Sequence, residues 1–214
     1  MIPAGIYLLS YLPVFGIKEG FLAEVFRYQK MMYHYHSTLV ASHPYESLWY
    51  EWPVMLRPVW YHVTSAVQSG DGLAHSIAAF GNPVVWWGAL PAILIGFLSG
   101  IRRRDRRAAF LAAGYCSVYL PWIVVPRLTF IYHYYMAVPF AVLSIVYCLC
   151  CVLDKAEKMP LKDGTKRCVS EVAIWALPVA ATVLFILFVP VVFGAGAPEW
   201  YLEILEWLPG WTFI

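Results

Sequence analysis

Long apolar stretches broken by short polar turns dominate the chain. A helix that crosses a bilayer needs about 20 predominantly apolar residues. Four stretches reach that length: Pro83–Ile101, Ala108–Val125, Leu128–Leu153 and Val172–Phe193. Asn82-Pro83 marks the start of the first, since proline suits the opening position of a helix. Gly194, Gly196 and Pro198 close the last. A fifth stretch, Ile2–Ile17, is marginal and is bracketed by Pro3 and Pro13. It lacks the basic start and the small-residue cleavage site of a signal peptide. It therefore reads as a partial span, the remnant of a membrane helix whose beginning is missing. The expected architecture is all-α and polytopic. It has a partial span over 1–17, a loop over 18–82, a four-helix domain over 83–193 and a tail over 194–214.

Between the partial and full spans the pattern changes. Over Lys18–His43 the apolar positions Leu22, Val25, Phe26, Met32 and Tyr33 alternate with Glu24, Arg27 and Lys30. That spacing roughly fits an amphipathic helix lying in the membrane interface. Ala41–His62 contains three prolines, which exclude a long regular helix. Its Trp49, Trp52 and Trp60 suggest a loop resting at headgroup level. Ser69-Gly70-Asp71-Gly72 is a turn. Trp200, Trp207 and Trp211 around Glu199, Glu203 and Glu206 predict a short interfacial helix in the tail.

Composition strengthens the membrane assignment. The chain is 61% hydrophobic and 13% charged, against about 25% charged for an ordinary soluble domain. A net charge of +2 offers no footprint for nucleic acid. The five cysteines show no zinc-site or disulfide-framework spacing and read as small packing residues. Charge then orients the spans. Arg102, Arg103, Arg104, Arg106 and Arg107 crowd one turn, and Lys155, Lys158, Lys162, Lys166 and Arg167 crowd the next turn on the same face. Together they are two-thirds of the fifteen Lys and Arg residues. An excess of basic residues marks the cytoplasmic side. The loop 18–82, the turn around Arg127 and the tail are then expected outside, in the plasma membrane of a bacterium.

The segment Pro126–Tyr135, PRLTFIYHYY, holds the only Arg in a stretch that is otherwise uncharged from Ala108 to Leu153. Insertion scales put an ionised side chain at membrane depth at about 2.5–3.5 kcal/mol, so its presence asks for a polar or anionic partner. Arg127 reads either as a snorkelling residue among lipid headgroups or as a clamp whose guanidinium grips a phosphate through two parallel hydrogen bonds. His133, six positions on, reads as a packing residue or as a hydrogen-bonding neighbour of that clamp. Tyr132, Tyr134 and Tyr135 are interface anchors or the lining of a lipid or sugar cleft. In the loop, Glu46, Glu51 and Asp71 are candidate bases or solvated surface acids. His34 and His36 are two positions apart and point to different sides of a helix, so no metal site is expected. Nor is a cofactor expected, and no phosphate-binding glycine loop, nucleophile elbow or HExxH motif occurs.

Several segments resemble the bacterial protein O-mannosyltransferases. They are Gly81-Asn82-Pro83-Val84-Val85-Trp86-Trp87-Gly88, Leu120-Pro121-Trp122, and Arg127-Leu128-Thr129-Phe130-Ile131-Tyr132-His133-Tyr134-Tyr135. The loop residues Tyr35-His36-Ser37, His43-Pro44-Tyr45, Trp49, Trp52-Pro53 and Arg57-Pro58 fit the same family. The resemblance implies a polytopic glycosyltransferase of the C type. Such an enzyme moves mannose from a polyprenyl-phosphate donor to Ser or Thr hydroxyls of an exported protein acceptor, by one inverting displacement on the non-cytoplasmic face. Arg127 would then neutralise the donor phosphate, with His133 or Tyr134 as neighbours. The family's catalytic acid lies in a first outer loop that precedes the matching region, so no residue here inherits the catalytic role. The chain is expected to be inactive alone and to need an N-terminal half or a partner subunit. The competing expectation is a non-catalytic membrane partner or scaffold of the same fold. A small transporter would instead require polar residues at mid-membrane on several spans.

Overall fold

The computed structural model describes residues 2–14 and 20–214, which form two compact units. The smaller unit comprises the N-terminal residues up to Ser42 and the segment Pro126–Leu128. Its helices are α1 (Ile2–Leu9) and α2 (Phe21–Thr38). Between them, Leu12–Val14 forms one 3-10 turn. Gln29 on α2 donates to the Tyr11 hydroxyl, which also meets Tyr7 at 2.9 Å. Glu24 is buried and held by Arg27 at 2.6 Å. The latter part of the expected partial span, and the expected start at Lys18, lie outside the described residues. The helix expected over Lys18–His43 forms from Phe21.

The larger unit contains the four membrane-length helices: α4 (Pro83–Arg102), α5 (Arg106–Tyr119), α6 (Val138–Lys158) and α7 (Asp163–Phe193). With its 3-10 extension through Val124, α5 also reaches spanning length. A 20-residue helix is about 30 Å long, the thickness of the hydrocarbon core. The helix α4 is central and packs on α5, α6 and α7. Local chemistry fixes its start. The Asn82 carbonyl oxygen accepts from Val84 N–H at 3.1 Å, while its amide donates 2.8 Å to Ala181 O on α7. One side chain thus caps α4 and fastens it to its neighbour. Asp105 caps α5 in the same way, through Arg107 N–H and Ala108 N–H. Gly114 lies against Phe140, where an added Cβ would overlap the ring.

Two boundaries differ from the sequence expectation. The third span begins at Val138 and not at Leu128, because Pro139 is tolerated only in the first helical turn. The freed residues Ile131–Met136 form a 3-10 turn instead. The last span begins nine residues before Val172, at Asp163. An acidic residue favours a helix N-terminus, and the Arg167–Glu171 pair at 2.8 Å links successive turns. Much of the second basic loop is therefore helical.

The loop before α4 carries an antiparallel hairpin that apolar periodicity did not reveal. Strand β1 (Val59–Thr64) pairs with β2 (His75–Ala79), with an irregular register between Trp60 and His62. The short helix α3 (Ala66–Ser69) and Gly70 and Gly72, at φ 78° and 76°, make the connection. The tail returns to this hairpin. Ala74 and Ala197 exchange two backbone hydrogen bonds of 2.9 and 3.0 Å, and α8 (Glu199–Ile204) follows. The tail tryptophans do not share one environment: Trp200 is exposed, whereas Trp211 is 1% exposed in the core.

Candidate functional site

The site is built around a short loop segment, Ser47–Met55, whose turn Trp49–Val54 is a 3-10 helix. Its carbonyls cannot all be satisfied within so short a helix. Indole donors from distant parts of the chain complete them. Trp86 Nε1–H donates to Trp52 O at 2.8 Å, Trp87 to Val54 O at 3.2 Å, and Trp211 to Met55 O at 2.6 Å. Trp52 is fully buried, and its own indole donates to Ser47 Oγ at 3.0 Å. Tyr119 OH adds a fourth outside donor, to Trp49 O at 2.9 Å. Met55 holds a left-handed backbone, φ 54°, at the end of this turn. Trp211 stacks on both Trp87 and Trp207, with centroids 6.2 and 6.1 Å apart. Trp86, Trp87 and Trp211 are structural donors, a role that composition alone could not separate from interfacial anchoring.

The turn Ile131–Met136 docks on this platform. Ser47 N–H donates to Thr129 O at 2.9 Å, and Thr129 Oγ1–H returns to Ser47 O at 2.8 Å. His133 is half-buried between aromatic rings. Trp52 stacks on it at 5.9 Å, and the Trp122 ring lies 4.4 Å away. Its Nδ1 lies 3.0 Å from Phe130 N and 2.9 Å from Phe130 O. A neutral Nδ1 accepts from the amide, and a protonated one donates to the carbonyl. The ring is thus oriented by its own turn in either tautomer.

Tyr134 faces the other way. It is 2% exposed, its hydroxyl meets Tyr115 OH at 3.0 Å, and its ring packs on Trp86 and Tyr119. Burial raises its pKa, so the phenol stays a neutral hydrogen-bonding group. Burial likewise pushes Tyr135 up to about 12, with Tyr61 adding to the shift. Arg127 belongs to the smaller unit, in the segment Pro126–Leu128, whereas His133 and Tyr134 belong to the larger one.

The three loop acids each have local employment. Glu51 accepts from Leu48 N–H at 2.6 Å and lies 3.7 Å from Arg57. Glu46 accepts from His43 N–H at 3.3 Å. Asp71 accepts from Ser69 Oγ–H, Leu73 N–H and His75, which lower its pKa to about 2. His75 in turn contacts Gly194 O at 2.9 Å at the end of α7. That carbonyl, and then Asp71, raise the histidine pKa. This Asp71–His75–Gly194 bridge was not visible in sequence, since Gly194 is 119 positions from His75. A cleft of about 440 Å³ in the loop is lined by Tyr45, Arg57 and Trp60 among others. Among the described residues, no group of three or more His, Cys, Asp or Glu is placed to hold a metal ion.

Fold and site together define a polytopic membrane protein with an aromatic loop platform packed on one end of four helices. Residues 21–211 match the family model for the C-terminal four-transmembrane region of protein O-mannosyltransferases. The chain belongs to that family. A polyprenol-phosphate-mannose–protein mannosyltransferase of Mycobacterium tuberculosis is 27% identical over 99% of this chain and 45% of its own length. The protein of the same name from Mycolicibacterium smegmatis is 26% identical over 99% of this chain and 46% of its own. The chain thus spans just under half the length of these relatives. Among solved structures, the Saccharomyces cerevisiae protein O-mannosyltransferase Pmt1-Pmt2 complex bound to the sugar donor superposes with a TM-score of 0.69. That match has 22% identity and covers 93% of this chain and 28% of the yeast chain. It establishes a shared fold.

Proposed function

We propose that this chain supplies the membrane-embedded C-terminal part of an enzyme that transfers mannose from a polyprenyl-phosphate donor to Ser or Thr hydroxyls of exported proteins. The observation that carries the proposal is the family match over 21–211, which includes the lone charge at Arg127 and the turn that follows it. In the reaction the anomeric carbon–phosphate oxygen bond breaks and a bond to the acceptor hydroxyl oxygen forms. The electron pair leaves on the phosphate, and the hydroxyl proton passes to a base supplied by another part of the enzyme. Arg127 matches the charge that grows on the departing phosphate, and stabilising such charge is a leading catalytic contribution. His133, oriented by Phe130 and the tryptophans around it, is a second donor for the phosphate. Tyr134, buried with its hydroxyl on Tyr115, serves the site indirectly by fixing the turn that presents His133. The basic ends of the helices face the cytoplasm in this reading, and the loop platform faces outward, in a bacterial plasma membrane.

A mannosyl-transfer assay on the complete enzyme, membrane portion joined to its N-terminal half or partner, tests the assignment. Arg127→Ala is expected to lower turnover by roughly 100-fold, the usual loss for a transition-state charge partner. Arg127→Lys should recover part of it, because a lysine supplies charge without the planar fork. Wild-type turnover and donor affinity in both variants would remove Arg127 from the donor site. A non-catalytic scaffold is the second reading, favoured by the local employment of Glu46, Glu51 and Asp71. A completed enzyme that transfers no mannose, while its partner does so alone, would establish the scaffold.

A further inference from the structure

The end of the helical unit remote from the aromatic platform carries a groove of about 600 Å³ between α4, α5 and α6. Four cations line it: Arg103 from the α4–α5 turn, Arg107 from the first turn of α5, and Lys155 and Lys158 from the last turns of α6. Two acids share the wall, Asp105 and Asp154. Asp105 is already committed to the α5 N-terminus, to Tyr147 OH at 3.1 Å and to Arg107 at 3.7 Å. Positive charge therefore exceeds negative by two along the wall, and one of the two carboxylates is saturated. Other cations at this end are occupied differently. Lys166 donates to Glu157 O, and Arg167 pairs with Glu171.

Below the cations the wall turns apolar. Ile95 on α4 and Val152 on α6 contribute exposed side chains, 46% and 48% accessible, within spans long enough to cross the bilayer. A small soluble anion would use the rim and leave this floor wet. An acidic protein segment would likewise gain nothing from a floor that continues into the hydrocarbon layer. A molecule with a phosphate head and acyl chains satisfies both parts at once. Basic pockets between membrane helices are suited to anionic headgroups for this reason, and long Lys and Arg stems cover the adjoining apolar surface. We propose that this groove is a binding site for an anionic phospholipid, with its phosphate on Lys155, Lys158 and Arg103 and an acyl chain along Ile95 and Val152. The site lies at the opposite end of the helices from Arg127's neighbours in sequence, Val125 and Thr129, and is separate from the donor assignment.

The test uses the purified full chain in neutral detergent and native mass spectrometry. Palmitoyl-oleoyl phosphatidylglycerol, palmitoyl-oleoyl phosphatidylcholine and inorganic phosphate are titrated separately. Phosphatidylglycerol should bind roughly tenfold tighter than phosphatidylcholine. Lys155→Gln with Lys158→Gln should weaken phosphatidylglycerol by roughly tenfold, whereas Lys162→Gln with Lys166→Gln, an equal charge loss at the start of α7, should change it by under about twofold. Val152→Trp keeps every charge and fills the floor, so it should also weaken the lipid and leave phosphate unaffected. Equal affinity for the two lipids would overturn the proposal. So would equal losses in the two lysine pairs, or competition by inorganic phosphate at the lipid's own concentration.

Discussion

The two ends of the helical unit solve the same problem by opposite means. At the aromatic end, the backbone carbonyls of Trp52, Val54 and Met55 each receive an indole N–H from a residue 33 to 156 positions away, and Trp52 and Met55 are fully buried. At the basic end, the α4–α5 and α6–α7 turns are exposed and satisfied by local caps such as Asp105. A buried polar group left without a partner costs more than an exposed pair gains. Single changes should therefore be severe at the first end and mild at the second. The difference also suits the proposed division of labour, with a fixed platform for the transfer chemistry and an adaptable charged rim for the bilayer.

The sharpest break should come from Trp52→Ala. It empties a fully buried indole site and removes the face on which His133 stacks. A loss of about 3–5 kcal/mol is expected, read as a large fall in the detergent-solubilised unfolding midpoint. Trp211→Phe keeps most of the ring and removes only the donor to Met55 O. It should cost about 1–3 kcal/mol, the penalty for an orphaned buried carbonyl. If Trp211→Phe matched the wild type in thermal unfolding, the indole bonds would be incidental to packing.

A pH series probes the bridge between the hairpin and α7. The His75 pKa is raised in the fold, by Gly194 O and then Asp71. Its contribution is complete below its unfolded value and is lost as pH rises through the folded one. Asp71 is lowered to about 2 by Ser69, Leu73 and His75. Its contribution is present above its ordinary value of 3.8 and is lost as pH falls through about 2. The unfolding midpoint of the wild type should therefore decline from mildly acid to mildly alkaline pH more than that of His75→Gln. Parallel curves would show that the bridge does not titrate with folding. The smallest effect belongs to the basic end. Arg106→Gln, on an exposed first helical residue, should shift stability by under about 0.5 kcal/mol, measured by the same unfolding assay.

Much of the helical architecture is legible in the apolar runs, because bilayer thickness imposes a length that hydropathy reports directly. Asn82-Pro83 announced a helix start, and the structure adds that Asn82 also reaches α7. Pro139 carried the signal for the true start of α6, but an unbroken apolar run from Leu128 outweighed it. Charged residues concealed the first turns of α7, since helix propensity persists where hydropathy falls. The site was legible as a set of residues and not as an arrangement. Arg127 and His133 stood out by charge and chemistry. That Tyr134 turns into the core while His133 lies between Trp52 and Trp122 depended on neighbours far along the chain.

Composition and spacing alone determined that this protein is a membrane protein, which four stretches among the described residues are long and apolar enough to cross a bilayer, and where its basic residues concentrate. Those properties follow from local free energies of transfer, which act residue by residue. Only the tertiary structure decided which tryptophans close the loop carbonyls, which tyrosine is buried and which lysines share a groove with apolar side chains. Each depends on a partner supplied by another element, and a one-dimensional pattern carries no record of which donor meets which acceptor.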